Sequence, residues 1–268
     1  MDRLAPDGCR PIDALVIRPV LSYAATMPAI FVHGVPDTDR VWRLVSPLLG
    51  RDDVTCLRLP GFGGQLPSGF DATKDAYEEW LVARIETQDA PVDLVGHDWG
   101  ALLALRAASL RPTLVRSWAV GGAPLDAAYV WHEAAQRWQT PDVGERVMER
   151  LTPSVLDGAL TAAGVPPEDA TAAATHFDET MKRAILGLYR SAIKVGEEWE
   201  PDLARIAAPG LVLWGEKDPY AGPEWGRRLA ERTGARLVVF AGCSHWWPLE
   251  RPQETAAELR ALWGSRGP

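Results

Sequence analysis

Short, predominantly apolar runs alternate along the chain with longer amphipathic stretches. Ala29 to Val32, Val54 to Leu57, Val92 to Val95, Ser117 to Val120, Leu211 to Trp214 and Leu237 to Phe240 are too short for helices, and each is followed within three residues by Gly, His or Pro. Runs of this kind predict strands buried on both faces. Between them, Asp39 to Leu49, Thr73 to Thr87, Trp99 to Leu110, Pro223 to Thr233 and Pro252 to Trp263 read as helices, several with Thr, Asp or Pro near the start. Residues 13 to 25 are expected to hold one or two earlier strands. Strand, turn and helix in repetition predict an α/β fold, a mostly parallel sheet flanked by helices.

The alternation stops between residues 123 and 200, where helical, Ala-rich patterns broken by Pro141, Pro153 and Gly164-Val165-Pro166-Pro167 replace the strand-like runs. Residues 1–122 and 201–268 are therefore expected to form one core and 123–200 a helical insertion. The insertion holds 13 acidic and 7 basic residues, so it carries −6 of the chain's −8. Such a stretch reads as a solvated helical face. Its charge also disfavours anionic substrates.

Composition narrows the partners. An acidic chain of 268 residues, with 28 Lys and Arg against 36 Asp and Glu, has no basic footprint for nucleic acid. The longest apolar stretches, such as Pro28 to Val32 and Gly210 to Trp214, fall far short of the roughly 20 residues of a membrane span, and no export signal opens the chain. Cys9, Cys56 and Cys243 are odd in number and scattered, which fits a reducing cytoplasm; Cys243 reads as a small buried strand-end residue. The expected location is cytoplasmic, with no membrane or nucleic-acid partner. The sequence leaves the oligomeric state open. No metal spacing, P-loop or dinucleotide glycine motif is present, so no cofactor or metal is expected.

Four strand ends carry chemistry. Gly96-His97-Asp98-Trp99-Gly100 lies between a buried run and an apolar helical stretch. Glycines on either side of one polar residue mark a sharp strand-to-helix turn that lifts its side chain, whereas a helix N-cap needs no such flanks. His33-Gly34-Val35-Pro36-Asp37 follows the first run and can aim backbone N–H groups at a developing oxyanion. Gly215-Glu216-Lys217-Asp218-Pro219 and Gly242-Cys243-Ser244-His245-Trp246-Trp247 follow the last two. Ligands bind outside the carboxyl ends of strands in open α/β sheets, so Asp98, Asp218 and His245 are expected at one edge, in the chain order nucleophile, acid, His.

These segments, together with Pro60-Gly61-Phe62-Gly63, resemble the α/β-hydrolase superfamily, specifically its Asp-nucleophile branch of epoxide hydrolases and haloalkane dehalogenases. The resemblance implies Asp98 as nucleophile, His245 as base, Asp218 as the acid that orients it, the backbone N–H groups of Val35 and Trp99 as oxyanion hole, and 123–200 as a helical cap. The substrate would be small, neutral and apolar, with water as the second reactant. An ionised carboxylate needs no base to attack carbon; His245 is needed in the second step, to activate the water that cleaves the resulting ester.

Within that branch the leaving group decides the reaction. Opening an epoxide makes an alkoxide, which needs a proton or hydrogen-bond donor. Leu186-Gly187-Leu188-Tyr189-Arg190 resembles the family's second cap tyrosine, which makes Tyr189 the expected donor. The first cap tyrosine has no clear match: Trp138 stands there, and the nearest tyrosine is Tyr129. Halide release needs only N–H donors in a dry pocket, which Trp99 with Trp131 or Trp138 could supply, but Val35 occupies the place where many dehalogenases resembling this chain carry Asn or Glu. Epoxide hydrolysis is therefore the leading reading, haloalkane dehalogenation the second, and a non-hydrolytic binding protein on the same fold the third. The 12 Trp fit an apolar cleft: Trp99, Trp131, Trp138, Tyr129 and Trp246 are expected to contact substrate, with Trp199, Trp214 and Trp247 nearby.

Overall fold

A computed structural model of the chain describes residues 27–264. The expected strands at 13–25, and Cys9, lie outside those residues. Six strands, β1 (Ala29–Val32), β2 (Val54–Leu57), β3 (Val92–His97), β4 (Val115–Gly121), β5 (Gly210–Gly215) and β6 (Arg236–Phe240), form one sheet in the order β2-β1-β3-β4-β5-β6. All described pairings are parallel. The strand order reverses between β1 and β3, which is where an open α/β sheet forms its crevice. β3 runs two residues past the apolar run because Gly96 pairs with Val32 and Val120, and His97 with Gly121.

Helices α1 (Lys74–Glu86) and α2 (Trp99–Leu110) complete the first half of the core. α2 is apolar on nearly all sides, Arg106 excepted, as a helix sandwiched between the sheet and outer elements must be. The helix expected over Asp39 to Leu49 is instead two 3₁₀ turns, Asp39–Trp42 and Ser46–Leu48. Pro47 has no N–H to continue an α-helical ladder, and its ring would clash with the carbonyl of Arg43.

Between β4 and β5 the chain forms α3 (Glu133–Gln139), α4 (Val143–Arg150), α5 (Pro153–Ala162), α6 (Pro167–Thr175), α7 (Glu179–Ser191), α8 (Val195–Trp199) and a 3₁₀ turn, Glu200–Arg205. α9 (Pro223–Thr233), α10 (Trp247–Glu250) and α11 (Pro252–Gly264) close the core. Most of the acids in the 123–200 stretch are exposed, as a solvated face requires, but five of them also reach cations outside the stretch. Asp169 receives two bonds from Arg43 (2.6 and 2.8 Å), Asp126 two from Arg228 (2.7 and 3.0 Å), and Glu198 pairs with Lys74 (2.7 Å). Glu168 and Glu200 pair likewise with Arg40 and Arg232. These acids clasp the helical segment to core cations.

Candidate active site

Asp98 sits where β3 turns into α2, with φ 51° and ψ −124°, a backbone region that non-glycine residues rarely occupy. The flanking glycines make the turn possible. A Cβ on Gly96 would lie 2.2 Å from the Gly100 carbonyl oxygen, and one on Gly100 would lie 2.1 Å from that of Val32. The Asp98 N–H donates to the Gly121 carbonyl (2.9 Å), which ties the turn to β4. Its Oδ2 accepts from the Val35 N–H at 2.7 Å, and the Trp99 N–H also bears on the carboxylate. Gly34 must lack a side chain for this, since its Cβ would stand 2.3 Å from Oδ2. Burial pushes the Asp98 pKa up, while His245 and the two N–H groups hold it down.

The other oxygen, Oδ1, lies 3.9 Å from His245 Nε2, too far for a direct hydrogen bond and close enough for one water to contact both. His245 Nδ1 binds Asp218 Oδ2 at 2.8 Å, and Asp218 Oδ1 accepts the backbone N–H groups of Tyr220 (2.9 Å) and Ala221 (3.2 Å). The Trp214 indole donates to the Ala221 carbonyl (2.8 Å), so this tryptophan secures the Asp218 loop and does not face the cleft. Burial opposes a charge on His245, but Asp218, and behind it Asp98 and Asp37, push its pKa up to about 9. The structure thus brings Asp98, Asp218 and His245 together at the carboxyl edge, with the Val35 N–H beside Asp98.

Above them lies a cavity of about 380 Å³, walled largely by apolar side chains of the core edge and of α3, α4, α5 and α7. Tyr189, Tyr129, Trp131, Trp138 and Trp246 line it. Trp99 does not: its ring is fully buried behind Tyr189 (centroids 5.4 Å) and stacked on Trp131 (5.9 Å), so only its backbone meets the carboxylate. Trp199 and Trp247 also stand away from the cavity. Trp199 is buried under Lys74 and Arg106, and Trp247 packs on Trp42 and His97. Of the 12 tryptophans, three line the cavity. The Tyr129 hydroxyl is already committed, donating to the Tyr220 carbonyl at 3.0 Å. Burial and the Asp98 charge raise the Tyr189 pKa well above its ordinary value, while the Trp99 indole acts against them, so the hydroxyl keeps its proton at neutral pH.

Several residues of the site escape a reading of motifs. His97, between Gly96 and Asp98, donates from Nε2 to the His245 carbonyl (2.9 Å) and packs its ring at 4.7 Å from that imidazole. Glu250 accepts the Ser244 N–H (3.1 Å) and hydroxyl (2.7 Å) and so holds the His245 loop. Asp37 is buried and accepts the Trp246 indole N–H at 3.0 Å; burial pushes its pKa up to about 7. His132 caps α3 through Nδ1, which accepts from the Ala135 N–H at 3.3 Å, and therefore carries its proton on Nε2. Tyr220 lines the cavity one residue past Asp218-Pro219. None of these has a spacing signal, because their side chains come from five separate segments that meet only in the fold. His33 is a structural residue: Leu59 donates to its Nε2 (3.0 Å) and its Nδ1 pairs with the Gly34 carbonyl (2.8 Å). Cys243 is fully buried, and burial pushes its thiol up to about 12, away from thiolate chemistry. Among the described residues no His, Cys, Asp and Glu cluster could hold a metal ion, and no helix is long and apolar enough to cross a membrane.

Residues 29–258 match the model of the Alpha/beta hydrolase family. Among curated proteins, epoxide hydrolase 3 of Mus musculus is 24% identical, over 84% of this chain and 67% of that protein. A lipase of Mycobacterium tuberculosis is 28% identical, over 92% of this chain and 98% of its own. Among solved structures, a haloalkane dehalogenase of Bradyrhizobium elkanii aligns with TM-score 0.69 at 22% identity, covering 90% of this chain and 93% of the other. An esterase of Thermogutta terrifontis aligns with TM-score 0.73 at 20% identity, covering 89% and 90%. At these identities the structural likenesses establish the fold.

Proposed function

The chain belongs to the alpha/beta hydrolase family, and on that premise we propose that it hydrolyses small, neutral, apolar epoxides to vicinal diols through an alkyl ester on Asp98. The observation that carries this reading is the Asp98 carboxylate, with Oδ2 fixed by the Val35 N–H and Oδ1 free beside the His245–Asp218 pair. The similarity to epoxide hydrolase 3 supports the same class. A serine esterase, which the lipase similarity would suggest, lacks its nucleophile here, because the elbow residue is Asp.

In the first step Asp98 Oδ1 attacks an epoxide carbon, the carbon–oxygen bond breaks, and the oxygen takes a proton from Tyr189. In the second, His245 removes a proton from water and the hydroxide adds to the Asp98 carbonyl carbon. Negative charge gathers on Oδ2, against the Val35 and Trp99 N–H groups. Collapse expels the diol, whose oxygen is protonated by the imidazolium. The carboxylic acid left on Asp98 then returns a proton to the tyrosinate.

A second reading, haloalkane dehalogenation, draws on the indole N–H of Trp138, which lines the cavity and is buried without a hydrogen-bond partner, and on the likeness to dehalogenases. A panel of matched epoxides and haloalkanes, assayed for diol and halide, separates the two. The expected result is diol formation that Tyr189→Phe lowers by about 10²-fold or more, with heavy oxygen from the solvent entering the Asp98 carboxylate in a single turnover. Label in the product alone would sink the covalent mechanism, and halide release indifferent to Tyr189→Phe would give the second reading precedence.

A further inference from the structure

Three hydroxyl groups line the cavity, all tyrosine: Tyr129, Tyr189 and Tyr220. Tyr129 spends its proton on the Tyr220 carbonyl, whereas the other two have no hydrogen-bonded protein partner of good geometry. Tyr220 does not come from the helical segment that supplies Tyr189. It comes from the core, two residues after Asp218.

We propose that Tyr220 is a second catalytic hydrogen-bond donor, which binds the leaving oxygen together with Tyr189 as Asp98 attacks. The proposal rests on the epoxide reading above and extends it to a residue outside the helical segment.

Its geometry is that of a donor set in place before substrate arrives. The Tyr220 N–H is held by Asp218 Oδ1 at 2.9 Å, and its carbonyl by the Tyr129 hydroxyl at 3.0 Å. The ring is wedged edge-on against His245 (centroids 5.0 Å) and Trp246 (6.1 Å), and tilted on His132 (4.9 Å). Backbone and ring are therefore fixed while the hydroxyl is left free, and a donor that needs no reorganisation is worth most in a water-poor site. Tyr189 and Tyr220 line the same cavity as Asp98, and the charge of Asp98 bears on both hydroxyls. Burial and those carboxylates push the Tyr220 pKa up to about 12, so it stays protonated through the neutral range. A single tyrosine facing an alkoxide must give up its proton completely. With two, one transfers the proton and the other donates a hydrogen bond to the same oxygen.

All hydrogen bonds that fix Tyr220 use its backbone, so Tyr220→Phe removes the hydroxyl and leaves the anchoring intact. In a His245→Gln background, which blocks the second step, mass spectrometry follows Asp98 alkylation directly. Tyr220→Phe should slow alkylation by propylene oxide about 10²-fold. The deficit should shrink markedly with trifluoropropylene oxide, whose alkoxide is less basic and needs the donor less. In the His245-containing enzyme, single-turnover cleavage of the ester should be unchanged. Alkylation within threefold of the parent, a deficit equal for both epoxides, or slowing confined to ester cleavage would each overturn the role of Tyr220 and leave the epoxide reading standing. Absence of any adduct in the parent His245→Gln protein would overturn both.

Discussion

His245 lies between two carboxylates with different fates. Asp218 keeps its charge throughout, whereas in the proposed mechanism Asp98 loses its charge on alkylation. In the free protein burial disfavours the imidazolium, yet Asp218 and Asp98 raise its pKa to about 9, so at neutral pH the ring is protonated and cannot accept a proton from water. Alkylation removes one of the charges that hold this value up, and the pKa must then fall toward the ordinary 6.5. In the proposed mechanism, formation of the ester thus prepares the base: the imidazolium releases its proton to solvent before the water step, and the ring takes one back when the charge of Asp98 returns. Asp98→Asn imitates the uncharged ester, and NMR titration of the His245 ring should give a lower pKa in that variant than in the parent. An equal or higher value would show that Asp98 does not control the base. The raised pKa also links to stability. The folded state holds the proton more tightly than the unfolded chain, so the stabilisation is complete below about pH 6.5 and is lost as pH rises through about 9.

The strand-to-helix turn between β3 and α2 is a device of the element, since it depends on how closely α2 approaches β1. Gly100 is the first-turn residue of α2 that faces β1, and a Cβ there would meet backbone at Val32 (2.1 Å to its oxygen) and His33 (2.7 Å). Backbone cannot step aside as a side chain could, so Gly100→Ala is expected to cost about 3 kcal/mol, the upper end of an overpacked core. Urea unfolding would measure this, and a loss under about 1 kcal/mol would mean that the helix can slide away from the strand. This constraint was legible in the sequence because it is local: two glycines around one carboxylate have few other reasons to occur. The strands were legible for the same reason, and β1 and β2 fall on their apolar runs residue for residue. The two 3₁₀ turns at 39–48 were not, because Val41, Trp42 and Val45 face the core in either helical form and Pro47 decides between them. Trp99 was misplaced because its position beside Asp98 fixes where its N–H lies, while its ring is placed by Tyr189 and Trp131, residues 90 and 32 positions away. Tyr220 was missed because the Asp218 loop has no pattern that says where its tyrosine points.

Over the whole molecule the sequence locates most of the negative charge in residues 123–200, and a surface field from that segment would repel anionic substrates. The fold moves the origin of that preference. Asp126, Glu168, Asp169, Glu198 and Glu200 are paired with core arginines and a lysine, and apart from Asp98 and His245 the charged residues lining the cavity, Glu133 and Arg137, pair at 2.8 Å and are neutral in sum. What remains is at the foot of the cavity, where Asp98, Asp218 and Asp37 stand around a single His245 in an apolar surround. A carboxylate brought there would lose its hydration without gaining a partner, a cost of several kcal/mol in real proteins. An epoxide bearing a carboxylate is therefore expected to have a kcat/KM at least about 10²-fold below that of its neutral methyl ester, a loss of about 2.7 kcal/mol. Salt distinguishes the two origins. A surface field would be screened within about 3 Å at 1 M ionic strength, whereas charges inside the cavity are screened much less. The ratio of the two kcat/KM values should then change less than about threefold between 0.05 and 1 M sodium chloride, the spread expected of screened surface terms alone. A gap that closes with salt would return the preference to the acidic helices.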